Sequence, residues 1–281
     1  MTTFLVLVIF LGYIFSLVLN SPVVLYIAVA ISLLMNFSGY WFSDKIALSL
    51  SGAKQASREE YFEFYNLVEN LSITAGLPMP KIYVIEDKAP NAFATGRDKD
   101  HSSVAVTSGL LSILNKKELE GVVAHELSHI GNRDILLSSI VVVLVGFVSI
   151  ASDLLVRILF WGGRDNSRED TGAGALVTIA GVVLAIFAPI FASLIHLAIS
   201  RKREFLADAS GVLLTRYPEG LASALEKIGS YSGPMVRASG ATAHLFISSP
   251  FGAKMNSGIS RLFMTHPPIE ERIKALREKS F

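Results

Sequence analysis

His125-Glu126-Leu127-Ser128-His129 is an HExxH string set in a helical pattern, with Val122, Val123 and Leu127 marking a half-buried face. Four residues make slightly more than one helical turn, so both imidazoles project from one face about 6 Å apart, where they can share one zinc ion. Glu126 sits beside them, placed to reach a water and not the metal. Zinc lowers the pKa of such a water toward about 7, and a carboxylate can then take its proton and pass it to a leaving amine. Two histidines buried on such a helix with no metal would carry a desolvation penalty with nothing to offset it.

A hydrolytic zinc site needs a third protein ligand and a position left open for water. The chain contains no cysteine, which excludes thiolate ligands, thiol nucleophiles, iron-sulfur clusters and disulfides. Glu204 is the best third ligand. It lies in Arg203-Glu204-Phe205-Leu206-Ala207-Asp208, one helical turn from Asp208, which is placed to hydrogen-bond a ligand histidine and fix its tautomer. The bland alternative is a solvated helix end, to which Arg201, Lys202 and Arg203 would suit. His196 cannot replace Glu204 in sharing an ion on one continuous helix, since eight residues span about 12 Å; it reads as a histidine hydrogen-bonded inside a bundle. His101, in a charged turn, and His244, in a Gly/Ser-rich segment, read as surface residues.

The composition places this site in a membrane protein. Of 281 residues 51% are hydrophobic and only 17% charged, with a mean hydropathy of +0.49, whereas about a quarter charged is usual for soluble chains. The net charge of +1 and the lack of any basic stripe argue against a nucleic-acid partner. Four stretches approach the roughly 20 apolar residues that a span requires: Thr3 to Leu19, Val23 to Trp41, Ile135 to Ser152 and Gly172 to Ser200. The last is long enough to tilt or protrude. A secretory signal is not expected, because the basic start and small-residue cleavage site are missing and a second span follows.

Four spans give the order 1–42 as a transmembrane hairpin, 43–134 as the first half of a polar domain with HExxH, 135–200 as a second hairpin, and 201–281 as the second half of that domain with the third candidate ligand. Residues 41–134 and 201–281 then share a side and hold 22 of the 25 basic residues, which makes that side, with both termini, cytoplasmic. Neither polar half looks complete alone, and together they suffice for one compact domain. In the first half, 57–75 reads as a helix N-capped by Ser57 and ended by Gly76-Leu77-Pro78. Residues 81–86 alternate as a strand, and 92–95 and 103–107 flank a charged turn, suggesting a small antiparallel sheet. Helix is expected over 115–130, 201–215, 219–228 and 268–278, and a loop or flap over 230–256. The expected fold is an α-helical integral membrane protein carrying a mainly α, α+β domain with a small sheet, which the family resemblance of its motifs implies is a zincin-like protease domain.

These residues resemble the HtpX-type membrane zinc endopeptidases, gluzincins related to the prenyl-protein (CAAX) proteases. The resemblance covers most of the chain and is carried by Asn91-Ala92-Phe93-Ala94-Thr95-Gly96, by HExxH with Gly131-Asn132-Arg133-Asp134, by Ser200 through Asp208, and by Thr265-His266-Pro267-Pro268. It implies one zinc ion on His125, His129 and Glu204, with Glu126 as catalytic base. It further implies that Asn91, Ala92, Phe93, Ala94 and Thr95 form an edge strand against which substrate lies, and that His266 sits near the developing oxyanion. An edge strand can bind extended peptides through main-chain groups with little dependence on sequence, and a histidine near the metal can donate to an oxyanion. His266 can equally cap the helix begun by Pro267-Pro268. Phe205 stands where many relatives have Tyr, so no hydroxyl acts there.

The function implied is cleavage of misfolded or damaged membrane proteins at the cytoplasmic face of an inner membrane, with the lipid bilayer and protein or peptide substrates as partners. A CAAX-type or intramembrane protease is the nearest alternative, but Lys116, Lys117, Glu118, Glu120, Arg133 and Asp134 surround HExxH and place it at or outside the membrane surface. A non-catalytic scaffold with a vestigial motif is disfavoured by the joint presence of His125, Glu126, His129, Glu204 and Asp208. Two histidines and a glutamate would also accept cobalt or manganese.

Overall fold

The computed structural model describes residues 21–145, 201–252 and 267–278, with scattered positions before residue 18. The chain divides into two compact units, Met1–Phe42 with Val143–Leu194 and Ser43–Val142 with Ile195–Phe281. Most of the expected span Thr3 to Leu19, all of Gly172 to Ser200 with His196, the end of Ile135 to Ser152, and His266 lie outside the described residues.

In the first unit, α1 (Pro22–Trp41) follows an extended Ser21, with proline at the helix start where its missing N–H goes unneeded. It carries no charged residue, and Tyr26, Ile27, Leu33, Leu34 and Phe37 are more than half exposed. Among the described residues no single helix is long and apolar enough to cross a membrane. Two bent helix pairs are, by length and composition: Leu25–Trp41 with Ser43–Ser51, and Lys116–Gly131 with Asp134–Val145.

The second unit contains α2 (Ser43–Ser51), β1 (Lys54–Gln55), α3 (Phe62–Ala75), β2 (Lys81–Ile85), β3 (Ala92–Gly96), β4 (Ser102–Thr107), α4 (Ser108–Ile113), α5 (Lys116–Gly131), α7 (Arg201–Thr215), α8 (Pro218–Ser230) and α9 (Ile269–Glu278). It also holds most of α6 (Asp134–Val145). The sheet order is β1-β2-β4-β3. The strands at 92–96 and 102–107 pair antiparallel across their charged turn, as their spacing leads one to expect. The sheet as a whole is mixed and not antiparallel, because β2 runs parallel to β4, a pairing set by contacts between residues about twenty positions apart and not by a turn. Ser57 does not cap α3: its hydroxyl accepts from the Glu60 amide in a separate turn, and the helix begins at Phe62.

One face of the sheet packs on α3, α5 and α8 through Val68, Val104, Val106, Leu110, Leu127 and Leu225; a second cluster on the other face includes Ala47, Phe93, Ala105 and Phe246. Helix α5 is the axis of this arrangement. It opens with a capping box in which Asn115 Oδ1 accepts from the Glu118 amide (3.0 Å) and the Asn115 amide donates to Glu118 Oε2 (2.8 Å). Glu118 also accepts from Ser223 (2.7 Å) and Lys227 (2.7 Å), tying α5 to α8. On α7, Gly211 faces the backbone of α5, and a Cβ there would stand 3.0 Å from the His125 nitrogen. The absent side chain brings the two helices that carry the candidate site into backbone contact.

Candidate metal and active site

His125 and His129 project from the same face of α5, and Glu204 meets them from the first turn of α7. The two Nε2 atoms are 3.2 Å apart; Glu204 Oε1 lies 3.5 Å from His129 Nε2, and Oε2 lies 3.8 Å from His125 Nε2. Ligands bound tetrahedrally at about 2.0–2.1 Å are separated by about 3.3 Å along each edge, so these separations fit a single small cation. Among the described residues, these three form the group whose ligand atoms all lie within 4.8 Å of one another.

The opposite nitrogen of each imidazole is held by a carboxylate. His125 Nδ1 is 2.9 Å from Asp208 Oδ1, one helical turn beyond Glu204. His129 Nδ1 is 3.1 Å from Asp134 Oδ2. Asp134 reaches back because Arg133 takes the left-handed conformation (φ 62°) at the 85° turn between α5 and α6, and Arg203 grips its other oxygen at 3.1 Å. Both carboxylates accept from Nδ1–H, which leaves each Nε2 lone pair directed at the shared centre.

Behind this layer lies Arg272 from α9, wholly buried. Its Nε and Nη2 donate to Asp208 at 2.9 and 2.6 Å, and Nη1 lies 3.5 Å from Glu204 Oε2. Burial opposes its charge, but Asp208, Glu204 and Glu126 raise its pKa further above the ordinary arginine value. Burial likewise pushes Asp208 up, yet Arg272 and His125 overrule it and hold that carboxyl at about 2. His125 is lowered to about 4, by burial first and by Arg272 second. His129 is raised to about 9: burial disfavours its cation, but Asp134, Glu204 and Glu126 prevail.

Glu126, buried to 2% exposure, opens with His129 and Glu204 onto a chamber of about 30 Å³ whose other walls include Ala94, Ser138, His244 and Leu245. That volume accommodates a water or two. The chamber thus gathers a carboxylate able to accept a proton and two of the three groups able to hold a metal, His129 and Glu204.

His125, Glu126, His129, Glu204 and Asp208 come together. Ala92 to Thr95 lie on β3, an end strand of the sheet, and Asn91 immediately precedes it. His101 is exposed and paired with Asp98 at 2.7 Å. His244 is not a surface residue: it is buried to 5% exposure, and its Nε2 lies 2.9 Å from the Ser138 carbonyl. The Gly/Ser-rich flanks conceal a short apolar run, Leu245-Phe246-Ile247, that enters the core and carries His244 with it. Sequence reasoning missed Asp134 and Arg272; the signals were the acidic end of Gly131-Asn132-Arg133-Asp134 and an arginine at the apolar face of the last helix.

The model of peptidase family M48 matches residues 58–280. The chain belongs to this family. Across the M48 region and beyond, it is 48% identical over 278 residues to a protease HtpX homolog of Thermoanaerobacter pseudethanolicus, covering 98% of this chain and 91% of that one. It is 52% identical over 240 residues to a protease HtpX homolog of Tropheryma whipplei, covering 85% and 80%. The fold is similar to the crystal structure of S. mikatae Ste24p, with a TM-score of 0.52 at 18% identity, over 89% of this chain and 57% of that one. The HtpX-type resemblance is thereby established, and this M48 member is a metallopeptidase.

Proposed function

We propose that the protein is a zinc endopeptidase that cuts misfolded or damaged membrane proteins at the cytoplasmic surface of the membrane. The observation that carries this reading is the convergence of His125, His129 and Glu204 at coordination distance, with Glu126 facing the same chamber. Zinc bound there would supply an acidified water and polarise the scissile carbonyl. Glu126 takes the proton from the water and returns it to the departing amine, and its burial keeps bulk water from levelling that transfer. Asp208 and Asp134 keep the imidazoles oriented throughout, and Arg272 keeps Asp208 ionised. In this proposal His266 donates to the developing oxyanion, and peptide lies along Asn91 to Thr95.

The membrane part of the proposal has four spans: hairpins at 1–42 and 135–200, and a protease domain assembled from 43–134 and 201–281. Three facts support it: the uncharged α1 with its broad apolar exposure, which water would not tolerate as a contiguous patch; the composition; and the placing of 22 of the 25 basic residues in the two polar halves. The charged residues around HExxH favour cleavage beside the bilayer and not within it.

The deciding experiment is hydrolysis of a quenched fluorogenic peptide by the purified chain in detergent. Cleavage should stop with a chelator and return with zinc, and Glu126→Ala should retain metal while losing activity. Hydrolysis indifferent to the chelator would overturn the proposal.

A further inference from the structure

The outer edge of β3, where substrate is proposed to lie, already has an occupant. The Ile247 amide donates to the Ala92 carbonyl at 2.9 Å. The Ser248 amide donates to Asn91 Oδ1 at 3.2 Å, and Asn91 Nδ2 donates to the Ser248 carbonyl at 2.9 Å. Phe246 meets Phe93 edge to face, with ring centroids 5.1 Å apart. Residues 91, 92 and 93 thus face 248, 247 and 246, in opposite order, so this bent segment runs antiparallel to β3 and covers its outer edge with one backbone hydrogen bond and the Asn91 side chain.

Phe246 and Ile247 part to opposite faces of β3. Ile247 joins Ala92 in the cluster beneath α5, while Phe246 joins Phe93 in the cluster on the other face. Before this pair the chain makes a 3-10 turn over Ala243–Leu245, which sets Leu245 and His244 beside the inner end of β3. Ala94, Leu245 and His244 are walls of the chamber in front of Glu126, and at about 30 Å³ that chamber has no room for a peptide.

We infer that Phe246–Ser248 is an internal ligand of the substrate edge, which an extended peptide displaces by pairing antiparallel with β3, and that the preferred substrates carry consecutive bulky apolar residues like Leu-Phe-Ile. The inference rests on the peptidase reading above and names the substrate class of that site. Main-chain pairing supplies affinity for any extended segment, and alternate side-chain pockets supply the choice among them. The pockets vacated by Phe246 and Ile247, both almost wholly buried, suit aromatic and aliphatic groups, whereas a charged side chain entering them would be desolvated without a partner. A tethered occupant acts at high effective concentration, so folded proteins, which offer no free apolar strand, do not open the site.

A chain without cysteine allows a direct test. Facing residues of antiparallel strands stand about 4.5–5.5 Å apart at Cα, within disulfide range, so A92C combined with I247C gives a lockable segment. With zinc bound, the oxidised protein should cleave a fluorogenic Leu-Phe-Ile peptide at least tenfold more slowly than the same protein reduced, at equal metal content. Equal rates would overturn the inference while leaving the peptidase reading intact. A second measurement avoids both core substitutions: in Glu126→Gln, a saturating peptide copying residues 244–249 should speed hydrogen exchange of the Ile247 amide at least tenfold, and a peptide with Asp-Lys in place of Phe-Ile should not. Unchanged protection would likewise overturn the inference. If the zinc-loaded unmodified chain cleaves no peptide at all, the inference and the reading beneath it fall together.

Discussion

Arg272 holds Asp208 through two parallel hydrogen bonds of 2.9 and 2.6 Å, and Asp208 in turn holds His125 at 2.9 Å. The arrangement couples the last helix of the chain to a candidate metal ligand through one carboxylate. Removing the guanidinium strands a buried anion, a defect worth about 3–5 kcal/mol. Arg272→Met should therefore lower the thermal stability of the metal-free protein measurably and weaken metal affinity about 10–100-fold. Arg272→Lys, with one donor fork lost, should fall between. Chelator competition reads the affinity, and wild-type affinity in Arg272→Met would show that Asp208 orients His125 unaided.

Asp134 plays the corresponding part for His129, but at a more accessible position beside Arg203. Asp134→Asn should reduce metal affinity about 10–100-fold with a smaller loss of stability than Arg272→Met. Equilibrium dialysis against zinc distinguishes this from a change in hydrolysis alone.

Glu126→Gln keeps the shape of the side chain and removes its basicity. The kcat for peptide hydrolysis should fall by at least about 10²–10⁴, while metal content stays at the wild-type level. A variant that retains a tenth of wild-type kcat would exclude Glu126 as the proton carrier.

Glu118 gives a pH test remote from the metal. Burial pushes its carboxyl up, but Lys227, the Asn115 amide and Ser223 together hold it below the ordinary glutamate value. A carboxyl lowered on folding stabilises the native state above its unfolded pKa, and the contribution fades as pH falls through the folded one. Glu118→Gln should accordingly destabilise by about 1–2 kcal/mol near pH 7, and the gap from wild type should narrow below about pH 4.5. Denaturant melts at several pH values will show it; a constant gap would mean that the loss is one of packing.

The parts legible in the sequence were those encoded by local spacing. HExxH needs only the helical turn, and Glu204 with Asp208 needs only the next, so both pairs could be read before any tertiary contact was known. The hairpin of β3 and β4 was equally local. Asp134 was hidden because its return to His129 depends on the left-handed backbone at Arg133, an unusual choice for arginine. Arg272 was hidden because Glu270-Glu271-Arg272 looks like a solvated face, and burial of the arginine depends on Asp208, far away in the chain. His244 was misread because glycine and serine around it outweighed three apolar residues whose partner strand lies about 150 positions earlier.

The wide separation of these parts in the chain has a further consequence during synthesis. As translation proceeds, the paired imidazoles and Glu126 leave the ribosome well before the carboxylate at 204, and the guanidinium at 272 emerges last of all. Domains generally fold as units, so the candidate metal site cannot close around His125 and His129 until both of these later segments have been made.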